Sequence, residues 1–456
     1  MTDTILIVGG GVAGLHAAKI CADAGARAVV VERGPVVGGR LAAAMASDDS
    51  IGDRAEGTAI PSLDSIASTE NIEVSTISSL DSLTGRPGNF TAAIRTEPRF
   101  VTDACTECAL CRAVCPVVLA NEFDAGLSYR KAIYSPLPQT LPSEWVVDIE
   151  HCLNTPPNYL PCNRCIEACE DDAIHFDMAL ETVTERPVGA VVVASGFELA
   201  DDSGPQSLGY GTHPDVVTSA ELQRLLESPG PTGGYATRPS NEEYPDSVLL
   251  VLDQMSPFAL YIVASQVNQL LAQDVGRVSL LLIAPAPKGD EYADAMRLID
   301  AAGIDVRHGA MLEVAADDDG NLAVSFEDTS DRQFAREHWD MVVLCSDVRA
   351  SEGAEALASV LGTELDGGGY FPAEPGPGIS VAGCAAGPIN IKETLASAER
   401  AAAAALDCLD PRLLREGYAS TEPQVSETTE TPEASAEDDD KRRQIELALY
   451  ALLENR

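Results

Sequence analysis

The start of the chain alternates apolar and polar positions in a way that predicts a strand, a glycine turn, a helix and a second strand. Ile5–Val8 is an apolar run of strand length, and the turn Gly9–Gly14 follows it directly. Leu15–Ala24 has helical spacing with small residues on one face, and Ala28–Val31 is another apolar run. This order is typical of an α/β fold in which helices cover a parallel sheet.

Further along the chain, the same reasoning predicts scattered strands and then a second α/β unit. The predicted strands are Ile72–Ile77, Phe90–Arg95, Val188–Ser195, Val248–Leu252, Val278–Ile283, Asp305–His308, Leu312–Ala316, Leu322–Phe326, Met341–Cys345 and Ile379–Gly383. The predicted helices are Ser219–Leu226, Ala259–Ala272, Glu291–Ala302, Ile391–Leu409 and a short amphipathic one over 441–455.

Acidic residues dominate the charge of this chain. Its 456 residues include 72 acidic and 30 basic side chains, so the formal net charge is −42. Such a surface repels nucleic acid and anionic lipid, which excludes both as partners. The scarcity of lysine and the even spread of acids favour a halophilic adaptation to high salt, and docking of a basic partner is the alternative.

The chain shows neither a signal peptide nor a transmembrane span. Thr4–Val8 begins a strand without a basic region before it, and the longest apolar runs, such as Val188–Ala194, have the length of strands. We therefore expect a cytoplasmic protein, which could lie at the inner face of the membrane through its partners.

The glycine turn carries the first candidate chemistry. Gly9-x-Gly11-x-x-Gly14 lets the backbone approach a pyrophosphate at a helix N-terminus, and Glu32 ends the second strand, where a carboxylate accepts from ribose hydroxyls. A structural turn without a ligand is the alternative. Gly38-Gly39-Arg40 favours FAD over NAD. The predicted FAD contacts are Gly9, Gly11, Val12, Ala13, Gly14, Glu32, Arg33, Gly39, Arg40, Ala194, Gly196, Gly383, Cys384 and Ile391.

Eight of the twelve cysteines form two groups with iron–sulfur spacing. The first group is a full ferredoxin-type run that ends in Pro116, and zinc is its alternative. The second group departs from the pattern, because nine residues separate Cys152 from Cys162 and Glu170 replaces the proline after Cys169. In such runs the last cysteine ligates the neighbouring cluster. One [4Fe–4S] cluster is therefore predicted at Cys105, Cys108, Cys111 and Cys169, and the other at Cys115, Cys152, Cys162 and Cys165.

The remaining cysteines are predicted to have no redox role. Cys21, Cys345 and Cys408 fall on apolar stretches and are interpreted as small buried side chains. Cys384 stands where two-domain flavoproteins place an acidic residue against the ribityl chain, and we expect it to contact flavin. The second α/β unit has no glycine fingerprint, and Asp253 ends its first strand with a repelling charge. NAD(P)H is therefore not expected to be the direct reductant, and no catalytic acid–base residue is predicted.

Together the glycine fingerprint, the cysteine groups and the segment Ala382–Pro388 resemble one family. It comprises the A subunits of heterodisulfide reductases and of quinone-interacting membrane-bound oxidoreductases. Segments that are similar to the latter are Asn121–Asp124, Lys131–Tyr134, Val147–Ile149, Leu208–Gly211 and Ser228–Gly234. The resemblance implies a two-domain, thioredoxin-reductase-like Rossmann fold of class α/β with an inserted two-cluster ferredoxin-like α+β domain. It also implies FAD and iron–sulfur or flavin partner subunits, among them a quinone-reactive membrane subunit.

The expected domains follow from these assignments. They are an FAD-binding domain in three parts (1–98, 179–245 and 349–412), the ferredoxin-like insertion (99–178), a second Rossmann-like domain (246–348), an acidic disordered linker (413–440) and a C-terminal helix (441–456). The expected function is that of an oxidoreductase subunit that relays electrons among FAD, two [4Fe–4S] clusters and partner subunits. The alternatives are a stand-alone NAD(P)H:acceptor oxidoreductase that resembles the small subunit of glutamate synthase, and a cofactor-bearing scaffold with a partner-recruiting tail.

Overall fold

The computed structural model describes residues 2–41, 60–137, 140–199, 208–228, 230–253, 256–283, 290–317, 320–329, 332–345 and 347–409. The predicted linker (413–440) and C-terminal helix (441–456) lie outside the described residues. The described chain forms two compact units. Unit 1 holds the residues up to Leu119, Arg130–Phe197 and the residues from Ala350 onwards; unit 2 holds Ala120–Tyr129 and Glu198–Arg349.

The strands of the described residues are numbered in chain order. They are β1 Thr4–Val8, β2 Arg27–Val31, β3 Ile72–Ser75, β4 Ser78–Arg86, β5 Asn89–Thr96, β6 Leu119–Ala120, β7 Tyr129–Arg130, β8 Ile133–Tyr134, β9 Val146–Val147, β10 Thr182–Val188, β11 Ala190–Val193, β12 Phe197–Leu199, β13 Val216–Thr218, β14 Ser247–Leu252, β15 Arg277–Leu282, β16 Asp305–Ala316, β17 Leu322–Asp328, β18 Gln333–Trp339, β19 Met341–Cys345, β20 Val348–Ala350 and β21 Ile379–Val381.

The α-helices are numbered in the same way. They are α1 Val12–Asp23, α2 Leu63–Ala67, α3 Leu110–Val114, α4 Arg164–Ala168, α5 Ser219–Leu226, α6 Pro257–Ala272, α7 Asp290–Ala302, α8 Ala354–Leu361 and α9 Ile391–Leu406. Single 3-10 turns occur at Gly39–Leu41, Glu122–Asp124 and Gly383–Ala386. Within the described ranges, no helix is both long and apolar enough to cross a membrane.

The main sheet of unit 1 is parallel and is assembled from distant parts of the chain. Its strand order is β21-β11-β1-β2-β3. Because side chains alternate along a strand, Ile5 and Ile7 face one side, where α1 and α9 pack, and Leu6 faces the other. A smaller antiparallel sheet, β10-β5-β4, and helix α8 cover that second face. The predicted α/β class of this part of the chain is confirmed.

The sheet of unit 2 has the order β13-β19-β14-β15-β16-β17-β18. Its first five strands run parallel, and β17 and β18 form an antiparallel extension. Helices α5, α6 and α7 pack on one face against residues such as Leu250 and Leu280. The other face buries Val251, Phe326 and Trp339. This architecture agrees with the second α/β unit that the hydrophobic pattern predicts.

The cysteine-rich insertion of unit 1 is built around a small apolar cluster. Phe100 and Trp145 are buried together with Ile133 and Ile174, and β8 pairs with β9 beside them. An isolated bridge between Val101 and Ile174 closes the insertion where it enters and leaves the main sheet domain. Partly buried cysteines, among them Cys111, pack against this cluster. A ferredoxin-like fold for this segment stays a prediction.

Several elements differ from the sequence predictions. The predicted strand Val188–Ser195 is the end of β10 followed by β11, because Gly189 breaks it; a Cβ at Gly189 would lie 2.3 Å from Leu409 Cδ2. The two strands predicted over 305–316 are one strand, β16, with a bulge after Met311. Strands β4 and β18 and helix α8 were not predicted from the sequence.

Candidate functional site

The glycine turn after β1 is shaped by two close backbone approaches. Gly9 has φ +112°, and a Cβ there would lie 2.2 Å from the carbonyl oxygen of Ala194 at the end of β11. A Cβ at Gly14, on α1, would lie 1.9 Å from the carbonyl oxygen of Gly9. Both positions therefore require glycine for the fold itself, independently of any ligand.

Gly11 differs from its neighbours, because a Cβ there would meet no protein atom within 4 Å. Gly11 is the N-cap of α1, with φ −77° and ψ −174°, a conformation that any residue adopts. The space beside it adjoins the free N–H groups that begin a helix, which is where a pyrophosphate binds in dinucleotide sites. The residues present thus fit a dinucleotide cofactor at the predicted position.

Glu32 holds the turn together through its carboxylate. One oxygen accepts a hydrogen bond from the N–H of Gly10 at 2.7 Å, and the other accepts from the N–H of Gly34 at 2.7 Å. The side chain is half-buried. Each carboxylate oxygen keeps a second lone pair, so ribose binding by Glu32 stays a prediction. The two backbone bonds are a structural role that the sequence pattern did not indicate.

The segment that follows β21 packs directly onto the start of α1. Gly383 has φ +64°, and a Cβ there would lie 2.7 Å from the Cβ of Ala13. Its N–H donates to Ser397 Oγ at 2.7 Å, which ties the segment to α9. Cys384 is buried, its thiol donates to the carbonyl oxygen of Ile389 at 3.4 Å, and burial raises the pKa of that thiol. A protonated, internally bonded thiol suits the predicted absence of a redox role.

Ser195 is a site residue that sequence reasoning missed. Its Oγ is buried and has no hydrogen-bond partner among the described residues. It follows Ala194 at the carboxyl end of β11, and Gly196 after it has φ +69° with open space where a Cβ would stand. A buried hydroxyl without a partner is costly, so it indicates a polar group that a bound cofactor would supply. A polar residue directly after a buried parallel strand is the signal that could have found it.

The other predicted FAD contacts are placed around the same turn. Val12 and Ala13 begin α1, Ile391 begins α9, and a Cβ at Gly39 would lie 3.1 Å from Gly11 Cα. Arg40 is exposed and lies over the ring of Phe197, with 5.1 Å from its guanidinium carbon to the ring centroid. Arg33 is also exposed and extends toward Gly353. The two arginines point to neighbouring protein groups, so their roles as FAD contacts stay predictions.

Four of the clustered cysteines line one cavity of the insertion, which we call cavity one. Helix α3 carries Cys111, and the loop before it has left-handed residues at Glu107 and Ala109. These conformations turn the chain sharply, so that closely spaced thiols can face one point. The cysteines of cavity one are Cys105, Cys108, Cys111 and Cys169, and its other lining residues include Val101, Thr106, Trp145, Asp171 and Ile174.

The other four cysteines line a second cavity, called cavity two. Helix α4 carries Cys165, which is buried. The lining residues of cavity two include Cys115, Cys152, Cys162, Cys165, Ile133, Val147, Arg164 and Phe176. Cys115 therefore lines the cavity of the second cysteine group, and Cys169 lines the cavity of the first, which is the exchange that the cysteine spacing predicts. Cys21, Cys345 and Cys408 line neither cavity.

The fourth thiol of cavity two comes from Cys152 and not from the position that a regular ferredoxin run would use. Tyr159 stands three residues before Cys162, where such a run has its first cysteine. Its side chain is 67% exposed and its φ is +45°. Cys152 lines the cavity instead, and its N–H donates to the carbonyl oxygen of Asp148 at 2.9 Å.

The spacing of the first cysteine group in the sequence bears on the zinc alternative. Pairs with C-x2-C spacing suit zinc, but the full run Cys105-x2-Cys108-x2-Cys111-x3-Cys115-Pro116 is typical of ferredoxins. Which metal the cavities hold stays a prediction.

The pKa values of two cavity thiols are well above that of a free cysteine. Burial, together with the nearby Cys105 and Cys108, raises the pKa of Cys111 to about 11. Burial and the neighbouring Cys152 raise the pKa of Cys165 to about 12. Thiolates are the ligands of iron, so bound iron would offset both effects.

In unit 2, acidic side chains lie at the carboxyl end of β14 and at the start of α6. Asp253 follows β14 and is exposed, and Ser256 caps α6 by accepting from the N–H of Ala259 at 3.0 Å. Ser256 Oγ also donates to Asp347 at 2.6 Å, which places a second carboxylate at this helix start. Two acidic side chains here oppose a pyrophosphate, as the sequence predicts.

Known proteins resemble this chain over most of its length. A family model described as FAD dependent oxidoreductase matches residues 4–70. The iron–sulfur A subunit 2 of the CoB–CoM heterodisulfide reductase of Methanopyrus kandleri is 33% identical over 94% of this chain and 67% of its own length. The corresponding iron–sulfur A subunit of Methanocaldococcus jannaschii is 33% identical over 88% of this chain and 63% of its own. The A subunit of the ferredoxin:CoB–CoM heterodisulfide reductase of Methanosarcina mazei is 30% identical over 89% of this chain and 53% of its own.

Solved structures resemble the chain more distantly. Thioredoxin reductase of T. acidophilum is 13% identical, with a TM-score of 0.46, over 89% of this chain and 96% of that one. LpdA of Mycobacterium tuberculosis is 14% identical, with a TM-score of 0.47, over 89% of this chain and 73% of that one. The chain spans 53% to 67% of the length of the three curated relatives. The relatives confirm the family that the sequence predicts: the chain belongs to the family of heterodisulfide reductase A subunits.

Proposed function

We propose that the chain is an FAD- and iron–sulfur-containing electron-transfer subunit of a heterodisulfide-reductase-type complex. The observation that carries the proposal is that the glycine turn and both cysteine-lined cavities belong to unit 1. The relatives are named as A subunits of heterodisulfide reductases, which supports partner subunits that complete the reaction.

FAD exchanges two electrons and a [4Fe–4S] cluster exchanges one, so together they convert pair transfers into single transfers. The residues of the chain would bind and tune these groups. Gly11 leaves room for the pyrophosphate at the N-terminus of α1, and Glu32 holds the turn by accepting a hydrogen bond from the N–H of Gly10. Gly383 brings the segment after β21 against α1, and Ser195 offers an unpaired hydroxyl at the end of β11.

The two cavities would each hold one [4Fe–4S] cluster, with Cys105, Cys108, Cys111 and Cys169 in cavity one and Cys115, Cys152, Cys162 and Cys165 in cavity two. Cys111 lies on α3 and Cys115 directly follows that helix, and Ile133 lines both cavities, so the two sites would be adjacent. Adjacent sites suit electron transfer from one to the other and on to a partner iron–sulfur or flavin subunit.

The cofactor content of anaerobically purified protein tests this proposal. About one FAD and about eight iron atoms per chain are expected. Fewer than four iron atoms with intact FAD would contradict the two-cluster assignment. Stopped-flow mixing with NADH or NADPH should leave the flavin oxidised, because unit 2 has no glycine fingerprint; rapid bleaching would favour the NAD(P)H-dependent alternative.

Partners can be identified by affinity purification of the tagged chain from its native cells. A cysteine-rich, disulfide-reducing partner supports heterodisulfide chemistry. A membrane haem protein as the partner would direct the electrons to quinone instead.

A further inference from the structure

Arg99 is a half-buried cation, with a fully buried Nε, at the entrance of the cysteine-rich insertion. Its Nη1 donates to the carbonyl oxygen of Pro35 at 2.5 Å and to Thr76 Oγ1 at 3.1 Å. Its Nη2 donates to the carbonyl oxygen of Glu144. The guanidinium therefore joins two parts of unit 1 that are far apart in sequence.

Each of these partners leads to one of the proposed cofactor sites. Pro35 follows Gly34, whose N–H donates to Glu32 in the glycine turn. Glu144 precedes Trp145, which lines cavity one. A second bond, from the N–H of Val37 to the carbonyl oxygen of Leu141 at 3.0 Å, runs parallel to the first. The segment 32–38, which we call the flavin loop, is thus connected to the wall of cavity one through the side chain of Arg99.

The charge of Arg99 is poorly compensated by the protein. Its acceptors are two neutral carbonyls and a hydroxyl, and within the described ranges its Nε is buried without a partner. Burial lowers the pKa of Arg99, and the charge of Glu144 opposes this effect without forming a hydrogen-bonded ion pair. A buried cation costs free energy unless a negative charge lies near it. Val101, two residues after Arg99, lines cavity one together with Trp145, which directly follows the Glu144 carbonyl that the guanidinium binds.

We propose that Arg99 is a positioning residue that joins the flavin loop to the wall of cavity one and raises the reduction potential of the cluster held there. The inference rests on the proposed function, because it needs a cluster at Cys105, Cys108, Cys111 and Cys169. Four thiolates give such a cluster a net negative charge, which grows when it is reduced. A nearby buried cation stabilises the reduced form more than the oxidised form, and net charge and burial are known determinants of cluster potentials.

A redox titration of the holoprotein, followed by electron paramagnetic resonance, tests the proposal. The Arg99→Gln variant removes the charge and keeps a hydrogen-bond donor, and it should lower the midpoint potential of the cluster in cavity one. The Arg99→Lys variant keeps the charge and should stay close to the parent, although it loses the two-pronged link. The Cys152→Ala variant should lack the cluster in cavity two, so the paramagnetic signal that remains in it is assigned to the cluster in cavity one.

Arg86 supplies the matched control. It is an exposed cation at the end of β4 that lines neither cavity, so Arg86→Gln should leave the potential of cavity one unchanged. Two results would overturn the charge effect. One is an unchanged cluster potential in an Arg99→Gln variant that keeps its full iron content. The other is a fall of the potential in Arg99→Lys as large as that in Arg99→Gln. If Arg99→Gln loses iron, Glu144→Gln decides: it removes the carboxylate beside the guanidinium and should raise the same potential, and no change would overturn the proposal. Absence of iron or FAD from the parent protein would instead refute the proposed function.

Discussion

The main-chain N–H of Ala173 donates a hydrogen bond to the Sγ of Cys169 at 3.4 Å. This bond directs the thiol of Cys169 into cavity one although Glu170, and not a proline, follows it. Hydrogen bonds to ligating sulfurs also raise the potential of iron–sulfur clusters. The missing proline, which made this position uncertain from the sequence, is therefore replaced by a backbone contact.

Replacement of Cys169 by alanine should remove the cluster of cavity one and spare that of cavity two. The iron content should fall from about eight to about four atoms per chain, because only one of the two cysteine sets loses a ligand. Iron analysis and electron paramagnetic resonance measure the change. Cys408→Ser is the matched control, since that thiol lines neither cavity and donates to the carbonyl oxygen of Ala404. Equal iron in Cys169→Ala and the parent would show that the crossover assignment is wrong.

Replacement of Cys152 and replacement of Tyr159 should have different effects on the iron content of cavity two. The Cys152→Ala variant should lose about four iron atoms, whereas Tyr159→Phe should keep them all, because the exposed ring of Tyr159 does not line the cavity. Iron content and the visible absorption of the clusters distinguish the two variants. Retention of all iron in Cys152→Ala would mean that another group completes the set.

Gly11→Ala should weaken FAD binding without weakening the fold. The new Cβ meets no protein atom within 4 Å, and the backbone of Gly11 suits alanine, but the methyl group would occupy space that a pyrophosphate needs. We expect the affinity for FAD to fall by about tenfold or more, which corresponds to roughly 1.4 kcal/mol per factor of ten. Flavin titration of the apoprotein measures this change, and thermal unfolding of the apoprotein should be unaltered.

Gly14→Ala is the contrasting variant, because its Cβ would lie 1.9 Å from the carbonyl oxygen of Gly9. The apoprotein should lose about 1–3 kcal/mol of unfolding free energy through overpacking between α1 and the turn. A Gly11→Ala variant that unfolds as early as Gly14→Ala would contradict the separation of the binding role from the structural role.

Asp215 is expected to be the main polar support of unit 2. It is 3% exposed and accepts from Arg238 Nη2 at 2.9 Å and from Ser240 Oγ at 2.7 Å. Asp215→Ala would remove these bonds but leave Arg238 paired with Asp340, 3.6 Å from its Nη1, so the expected cost is about 1–3 kcal/mol. Denaturant unfolding measures the loss. FAD and iron content of the folded fraction should stay unchanged, since Asp215 belongs to the other unit.

The net charge of −42 predicts that salt stabilises the protein. Added KCl screens repulsion between the many acidic side chains, so the unfolding midpoint should rise steeply between dilute and molar salt. Circular dichroism measures the midpoint. A midpoint that does not change with salt would favour the alternative, that the acidic surface serves to dock a basic partner.

Local patterns were sufficient for the elements whose periodicity is strong. Helix α5 and strand β19 have the predicted bounds, and Thr218 caps α5 with a full capping box that includes Glu221. Strand β4 was missed because most of its side chains are exposed and it lacks the apolar alternation of a half-buried strand. Two strands were predicted over 305–316, yet Gly309, which lies between them, is inside the single strand β16, where a Cβ would be 2.5 Å from the carbonyl oxygen of Glu327.

The candidate sites also have some features that the sequence predicts and others that it does not. Spacing along the chain predicts which thiols share a cavity, because two ferredoxin-type groups follow a known rule by which the last cysteine of each joins the other site. The roles of Arg99 and Ser195 depend on groups that meet only in the folded chain, such as Pro35 and Glu144 for the arginine. A sequence pattern does not show which residues that are distant in sequence come into contact. The same holds for the backbone bonds of Glu32, whose acidic character alone suggested a ribose contact.

The parallel sheet of unit 1 has a consequence for the biosynthesis of the protein. Strand β11 pairs with β1 on one side and with β21 on the other, and β21 begins only at Ile379. A ribosome therefore releases all eight clustered cysteines long before it delivers the last strand of this sheet. The sheet that carries the glycine turn therefore stays incomplete until synthesis has passed Val381, whereas the insertion has all of its residues about 200 positions earlier.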